Sequence, residues 1–203
     1  VENKAVYDLI DAVEGRCRPG QALIQDENEP TLYVMPSNHH AKHPVTPDAV
    51  SRVTNRLSDS FNYILIDCPA GIDGGFRRAV GCADEAIVVV TPHASGIKDA
   101  QKTIEKLQGN VNSVNVVINR VRGDLIAGGE MLSVFEVFSL LGNNSLGVIP
   151  ESDDINCNAR LYAGNEAFDL LAKNLQSGRT DIYDCVTRFK GLFGKIRRKL
   201  KRN

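Results

Sequence analysis

Residues 63–72 read YILIDCPAGI. The run from Ile64 to Ile66 is apolar and closes on Asp67, which is followed by a loop of small residues. This pattern predicts a buried strand that ends in an acid. In phosphate-binding α/β proteins an aspartate at that place commonly faces a nucleotide-bound Mg²⁺. The usual companion of such an acid is a glycine loop that cradles phosphates. The 203 residues hold no G-x-x-x-x-G-K-S/T segment, and GLFGK at 191–195 lacks both the spacing and the hydroxyl. Asp67 therefore either has another task or belongs to a site of which these residues carry one part.

Working outward, four more short runs are apolar throughout: TLYVMP (31–36), EAIVVVT (85–91), VNVVINR (114–120) and LGVIP (146–150). Continuous apolarity is the mark of strands buried on both faces. Between the runs lie helical spacings: Val50, Val53 and Leu57; Ala100, Ile104 and Leu107; Leu132, Phe135, Val137, Phe138 and Leu141. Strand and helix in strict turn predict an α/β fold with a mostly parallel sheet and helices on both faces. Ligands of such sheets sit beyond the carboxyl ends of the strands. Ser37, Asp67, Thr91, Asn119 and Pro150 are then expected along one rim.

Composition is that of an ordinary domain with a full core, 42% hydrophobic and neither Cys-rich nor of low complexity. The five cysteines are scattered and contain no C-x-x-C pair, which argues against a disulfide framework or a zinc ribbon. No stretch approaches the roughly 18 apolar residues of a membrane span, and no apolar segment comes after a basic start. A protein of the reducing cytosol, neither secreted nor integral to a membrane, is expected. The net charge of −1 conceals an asymmetry: residues 186–203 hold eight Lys or Arg and no acid, leaving −9 on the rest. The chain is an acidic body with a basic tail.

ILIDCPAGI, ADEAIVVVTP, INR and GVIPES succeed one another in this order. With KAVYDLIDAVEG near the start, QALI at 21–24 and the basic amphipathic end, they resemble the MinD branch of the MinD/ParA family of deviant P-loop ATPases, which position the bacterial division septum. The likeness covers nearly the whole chain. It implies that a first strand, a P-loop with an extra lysine, a helix and a first switch loop would precede Val1. The intact protein would be an ATPase, and these 203 residues alone, truncated before the first switch loop, are expected to be inactive.

The resemblance also assigns roles, each with a plainer reading beside it. Asp67 would be catalytic, holding Mg²⁺ through a water and placing the attacking water; otherwise it is a strand-end acceptor of backbone hydrogen bonds. Cys68, Pro69, Ala70 and Gly71 would form a switch loop, with the Gly71 N–H approaching the γ-phosphate; otherwise Gly71 is a turn glycine. Asn119 would read the adenine edge, because an amide offers a donor and an acceptor side by side. Pro150 and Glu151 would form the other wall of the base pocket, or a simple turn. ATP and Mg²⁺ are the implied cofactors and an ATP-dependent homodimer the implied assembly. The helix expected at 95–108, with Ser95 as a plausible N-cap, would carry partner contacts through Asp99, the partners being a division inhibitor and an ATPase activator.

His39, His40 and His43 invite a metal, but no acid or thiol stands beside them and Lys42 does. His93 occupies a place where the family usually has glutamate. In the tail, Phe189, Leu192, Phe193, Ile196 and Leu200 fall at steps of 3, 1, 3 and 4, with Lys195, Arg197 and Arg198 among the surrounding cations. That is an amphipathic helix for an anionic membrane surface, and the chain divides into a nucleotide-binding body, 1–188, and a targeting tail, 189–203. The expected location is the cytoplasm, reversibly on the inner face of the cell membrane. A ParA-type partition ATPase with a DNA-gripping tail is the rival from another class, but phosphate binding does not require the apolar stripe, so DNA is disfavoured. A MinD-like regulator of flagellar number is the nearer rival.

Overall fold

The computed structural model describes residues 6–37, 45–69, 71–72, 74–152, 166–191 and 193–194. Two compact units divide the chain, Val1–Ala83 and Asp84–Asn203.

In the first unit, helix α1 (Leu9–Val13) begins where the Asp11 amide donates to Asp8 at 3.0 Å and the Asp8 amide donates to Asp11 at 2.9 Å. This reciprocal cap pairs two N–H groups that a helix start leaves open. Arg16 donates to Asp11 at 2.6 Å, and that bond is the main reason the Asp11 carboxyl sits below its ordinary pKa. Strands β1 (Ile24–Gln25) and β2 (Tyr33–Val34) form a short antiparallel ribbon. Helix α2 (Pro47–Leu57) is capped by Thr46, which accepts from the Ala49 amide at 3.3 Å. Pro47 sits in its first turn, where a missing N–H is harmless. Ala49, Val50 and Val53 bury its inner face, and α3 (Gly74–Val80) adds Phe76.

Two expectations fail in this unit. TLYVMP yields only the ribbon strand β2, whose Tyr33 and Val34 are 39% and 38% exposed. YILID forms no ladder among the described residues; Leu65 is 78% exposed, and Asp67 is exposed as well. An apolar run becomes a strand only where neighbours supply ladder partners and packing. No described strand pairs with 63–67.

The second unit bears out the expected parallel architecture. Strands β3 (Glu85–Val90), β4 (Ser113–Val121) and β5 (Asn144–Pro150) lie side by side in that order, all parallel. Helix α4 (Ala94–Leu107) joins β3 to β4, α5 (Gly123–Gly128) and α6 (Val134–Leu141) join β4 to β5, and α7 (Glu166–Ser177) comes after β5. Val88 lies opposite Val116 and Val90 opposite Ile118, so the four side chains share one face, which is buried. Helix α4 packs on β3, with Ile97, Ala100, Ile104 and Leu107 inside. One residue out of phase, Val117 joins Leu146, Ile149 and Ala167 in a cluster sealed by Phe168 and Leu171 of α7. Gly147 is what lets α7 approach, since a Cβ there would lie 3.2 Å from Leu171 Cδ1.

Strand β3 departs from the expectation of burial on both faces. Ile87 and Val89 are 39% and 62% exposed, so among the described residues the strand is covered only on its Val88 and Val90 side. Helix α4 is capped at His93, without a side-chain bond, and not at Ser95. Helix α6 takes its phase from Ser133 and Glu136, a reciprocal cap at 3.2 and 2.7 Å. It therefore buries Val134, Val137 and Leu141 while leaving Leu132 and Phe135 40% and 75% exposed.

Asn174 of α7 is buried, and its amide donates to the Leu146 carbonyl at 2.9 Å and the Asp181 carbonyl at 2.7 Å. The return segment after α7 is thereby tied to β5. A carbonyl stranded in a core costs about 1–3 kcal/mol, which sets the worth of this one side chain. Among the described residues no helix is long and apolar enough to cross a membrane.

Candidate functional site

The carboxyl ends of β4 and β5 build the best-defined constellation. Ile118 pairs with Val148 and Val121 with Pro150, so Asn119 and Arg120 together oppose the single residue Ile149. Two residues against one is a β-bulge, a device that re-aims side chains at the rim of a sheet. Arg120 completes it with φ of 60°, the left-handed region that non-glycine residues rarely occupy. Its backbone N–H donates to Asn119 Oδ1 at 2.8 Å. Its guanidinium forms a two-pronged bond with Glu151, Nε to Oε2 at 2.8 Å and Nη2 to Oε1 at 3.1 Å. The Glu151 carboxylate pushes the Arg120 pKa upward, chiefly through that hydrogen bond. The Glu151 N–H in turn donates to the Val121 carbonyl at 3.0 Å. Asn119, expected at the base edge, and Pro150 and Glu151, expected in the other wall of the pocket, are thus brought together, half-buried, on adjacent strand ends.

Arg120 is the member that sequence reading passed over. It lies inside INR, where attention went to the asparagine. A charged residue directly after a strand-end amide was the available signal, yet its left-handed backbone has no marker in residue type. Arg122, two residues on, makes a second fork, Nε to Asp124 Oδ1 at 2.8 Å and Nη2 to Oδ2 at 2.6 Å, and Asp124 is fully buried.

The remaining candidate residues lie in different places. Asp67 and Cys68 are exposed, and Asp67 has no hydrogen-bond or ion-pair partner among the described residues. Gly71 has φ of 96° with nothing within 4 Å of where a Cβ would stand, so backbone conformation, and not crowding, is what suits glycine there. Ala70 lies outside the described residues. Asp99 is exposed on α4, with Lys102 Nζ 3.8 Å from Oδ1. No group of three metal-ligating side chains occurs among the described residues, and His39, His40 and His43 lie outside them.

Phe189 corrects the expectation for the tail. Expected on a membrane face, it is 5% exposed and ends a short 3₁₀ turn, Thr187–Phe189, that packs on α5. Asp184 shapes this turn by accepting from the Val186 and Thr187 amides at 2.9 and 3.0 Å. Those bonds, Thr187 foremost, depress its pKa, so their contribution is present at neutral pH and is lost as pH falls through the lowered value. Two glycines let the chain close up around this turn: a Cβ on Gly123 would meet the Cys185 carbonyl and lie 3.2 Å from Phe189 Cδ2, and one on Gly194 would meet the Phe189 backbone. The body therefore extends past residue 188. Phe193, four residues on, is 82% exposed. Leu192, Lys195, Ile196, Arg197, Arg198 and Leu200 lie outside the described residues.

No family model matches the chain, but individual proteins do. The septum site-determining protein MinD of Bacillus subtilis is 38% identical over 159 residues, 76% of this chain and 59% of that protein. MinD of Thermotoga maritima is 33% identical over 222 residues, 100% of this chain and 81% of that protein. The chain thus spans about three-fifths of the length of some of the curated relatives it matches and about four-fifths of others. Among solved structures, the MinC:MinD cell division protein complex of Aquifex aeolicus superposes with a TM-score of 0.79 at 29% identity, covering 91% of this chain and 78% of that one. MinD of Pyrococcus horikoshii, complexed with Mg-ADP, shares the fold with a TM-score of 0.71 at 22% identity, covering 86% and 75%.

Proposed function

The chain belongs to the MinD family of septum site-determining proteins, and from that premise we propose that it is the greater part of an ATPase that dimerises with ATP, binds the inner membrane surface through its basic tail and recruits a division inhibitor. The observation that carries the nucleotide part is the juxtaposition of Asn119, Pro150 and Glu151 at the carboxyl ends of two adjacent parallel strands. Brought together there, an amide, an apolar proline ring and a carboxylate suit a purine base. The MinC:MinD complex of the Aquifex relative supports an inhibitor as partner.

Asp67 fits a Mg²⁺ site of the kind in which one carboxylate acts with substrate phosphates and water, because its oxygens are committed to no other described group. When bound, Mg²⁺ would neutralise charge on the phosphates. Gly71, already at positive φ, can bring its N–H against a phosphate oxygen without a Cβ in the way. The phosphate-cradling lysines and amides are supplied by no segment of the sequence.

Phosphoryl transfer depends almost wholly on positioning and electrostatics. The 203 residues alone are therefore expected to release no phosphate from ATP and Mg²⁺. Joined behind a segment with a K-G-G-x-G-K-T motif, they are expected to hydrolyse ATP and to sediment with anionic vesicles only when ATP is present, with Asp67→Ala abolishing hydrolysis. Steady phosphate release by the 203 residues that depends on Asp67, or ATP-independent sedimentation of the joined protein, contradicts this function.

A further inference from the structure

Resting on the reading of the tail as membrane-binding, we infer that Gly194 is a positioning residue: seated against the Phe189 backbone, it fixes the rotation of the tail helix and holds its apolar stripe outward, toward lipid.

Phe193 and Gly194 are consecutive helical residues with opposite surroundings, the first 82% exposed and the second buried. What lies against Gly194 is main chain. A Cβ there would meet the Phe189 carbonyl group and lie 3.0 Å from Phe189 Cα. Phe189 is itself held: its ring is 5% exposed, its turn packs on α5, and Asp184 accepts from the two amides that shape that turn. Gly194 therefore rests on a fixed point of the second unit, and a larger residue would have to lift the helix off it.

Together with the covalent link to Phe189, this contact sets how the helix is turned about its axis. Successive helical residues are about 100° apart, so with Gly194 on its seat Phe193 points to one side of it. Read on at the same spacing, the sequence places Ile196 and Leu200 within about 60° of Phe193, and Arg198 and Lys201 within about 40° of Gly194. The stripe thus lies away from the seat, with cations on the seat's side. A helix whose first turn is already formed and aimed has less to order on reaching a membrane.

The seat and a loose tether predict opposite signs for Gly194→Ala. Alanine is the better helix former, so in a loosely tethered tail it tightens binding to phosphatidylglycerol vesicles by about four- to fivefold. The test measures vesicle partitioning of three pairs, each with glycine and with alanine at 194. The first is the protein joined behind a phosphate-loop segment, with ATP. The second is that protein with Gly-Ser-Gly-Ser inserted between Lys190 and Gly191, which frees the tail but keeps Phe189 in place. The third is the peptide 190–203, which lacks Phe189. Alanine is expected to weaken binding in the first pair by about threefold or more, as pre-organisation is lost, and to tighten it by about four- to fivefold in the other two. The melting temperature of the first pair is expected to agree within about 4 °C. A larger fall shows that the seat yields and not the tail, which refutes the positioning. If alanine tightens the first pair, or weakens the second or third, the positioning is also refuted while the membrane reading stands. If neither the unaltered joined protein nor the peptide partitions, the membrane reading falls and the positioning with it.

Discussion

Replacing Gly123 with alanine is expected to loosen the return segment of the second unit and to lower its melting temperature by roughly 6–20 °C. The α-hydrogen of Gly123 faces backbone. A Cβ in its place would fall on the carbonyl oxygen of Cys185, with the carbonyl carbon at 2.7 Å and the Phe189 ring at 3.2 Å. Because the obstacle is main chain, no change of rotamer relieves the overlap. The segment carrying Cys185 and Phe189, 1% and 5% exposed, must lift away from α5. Loss of a buried aromatic contact costs about 3–5 kcal/mol. In a protein of this size each kcal/mol moves the midpoint by about 2–4 °C. Thermal unfolding tracked by circular dichroism decides the matter, and an alanine variant that melts with the parent shows that the contact is not built as described.

The second large effect separates two phenylalanines that stand four residues apart. In the protein joined behind a phosphate-loop segment, with ATP present, Phe193→Glu is expected to leave the fold intact and to release the protein from anionic vesicles, because the ring is 82% exposed and free to enter lipid. Its burial in the interface is worth about 1.5–3 kcal/mol at most, and a carboxylate in its place is repelled by the same lipids. The partition coefficient should fall by about ten- to a hundredfold, each factor of ten being about 1.4 kcal/mol. Phe189→Glu is expected to do the reverse and destabilise the fold, since it would place an unpaired charge in the seat beside Gly123. Vesicle sedimentation and melting curves on both variants give the answer. If Phe193→Glu binds phosphatidylglycerol vesicles as tightly as the parent, or if duplex DNA fully displaces the parent from them, the membrane assignment is wrong.

The parallel core was open to sequence reading because β4 and β5 are enclosed by helices, and enclosure writes itself as unbroken apolar runs such as VVI and GVI. The same signal misled at YILID and at the Ile87 and Val89 side of β3. There the residues permit burial, but the described structure supplies no cover. Helix phase was legible only to the degree that caps were: Ser133 with Glu136 was the readable capping box, and missing it put Leu132 and Phe135 on the inner face. Of the candidate site, Asn119 and Pro150 were placed on the rim because strand ends in such sheets are where ligands bind, whereas Glu151 and the base-contacting roles were implied by the family resemblance alone. Arg120 and Gly123 escaped for a common reason. Each owes its importance to a backbone relation, a left-handed φ in one case and a carbonyl in van der Waals range in the other, and neither has a periodic trace in residue types.

Arg188 and Lys190 are both exposed, while the residue between them is sunk into the second unit with the Arg188 guanidinium 4.9 Å above its ring. A trypsin-like protease meets two scissile bonds here, two residues apart, with unequal results. Cleavage after Lys190 removes residues 191–203 and leaves the ring seated on α5. Cleavage after Arg188 severs the ring from the chain that leads into it, so that its hold on the unit becomes that of a detachable peptide. At this junction, removing the tail and opening the core are separated by a single dipeptide.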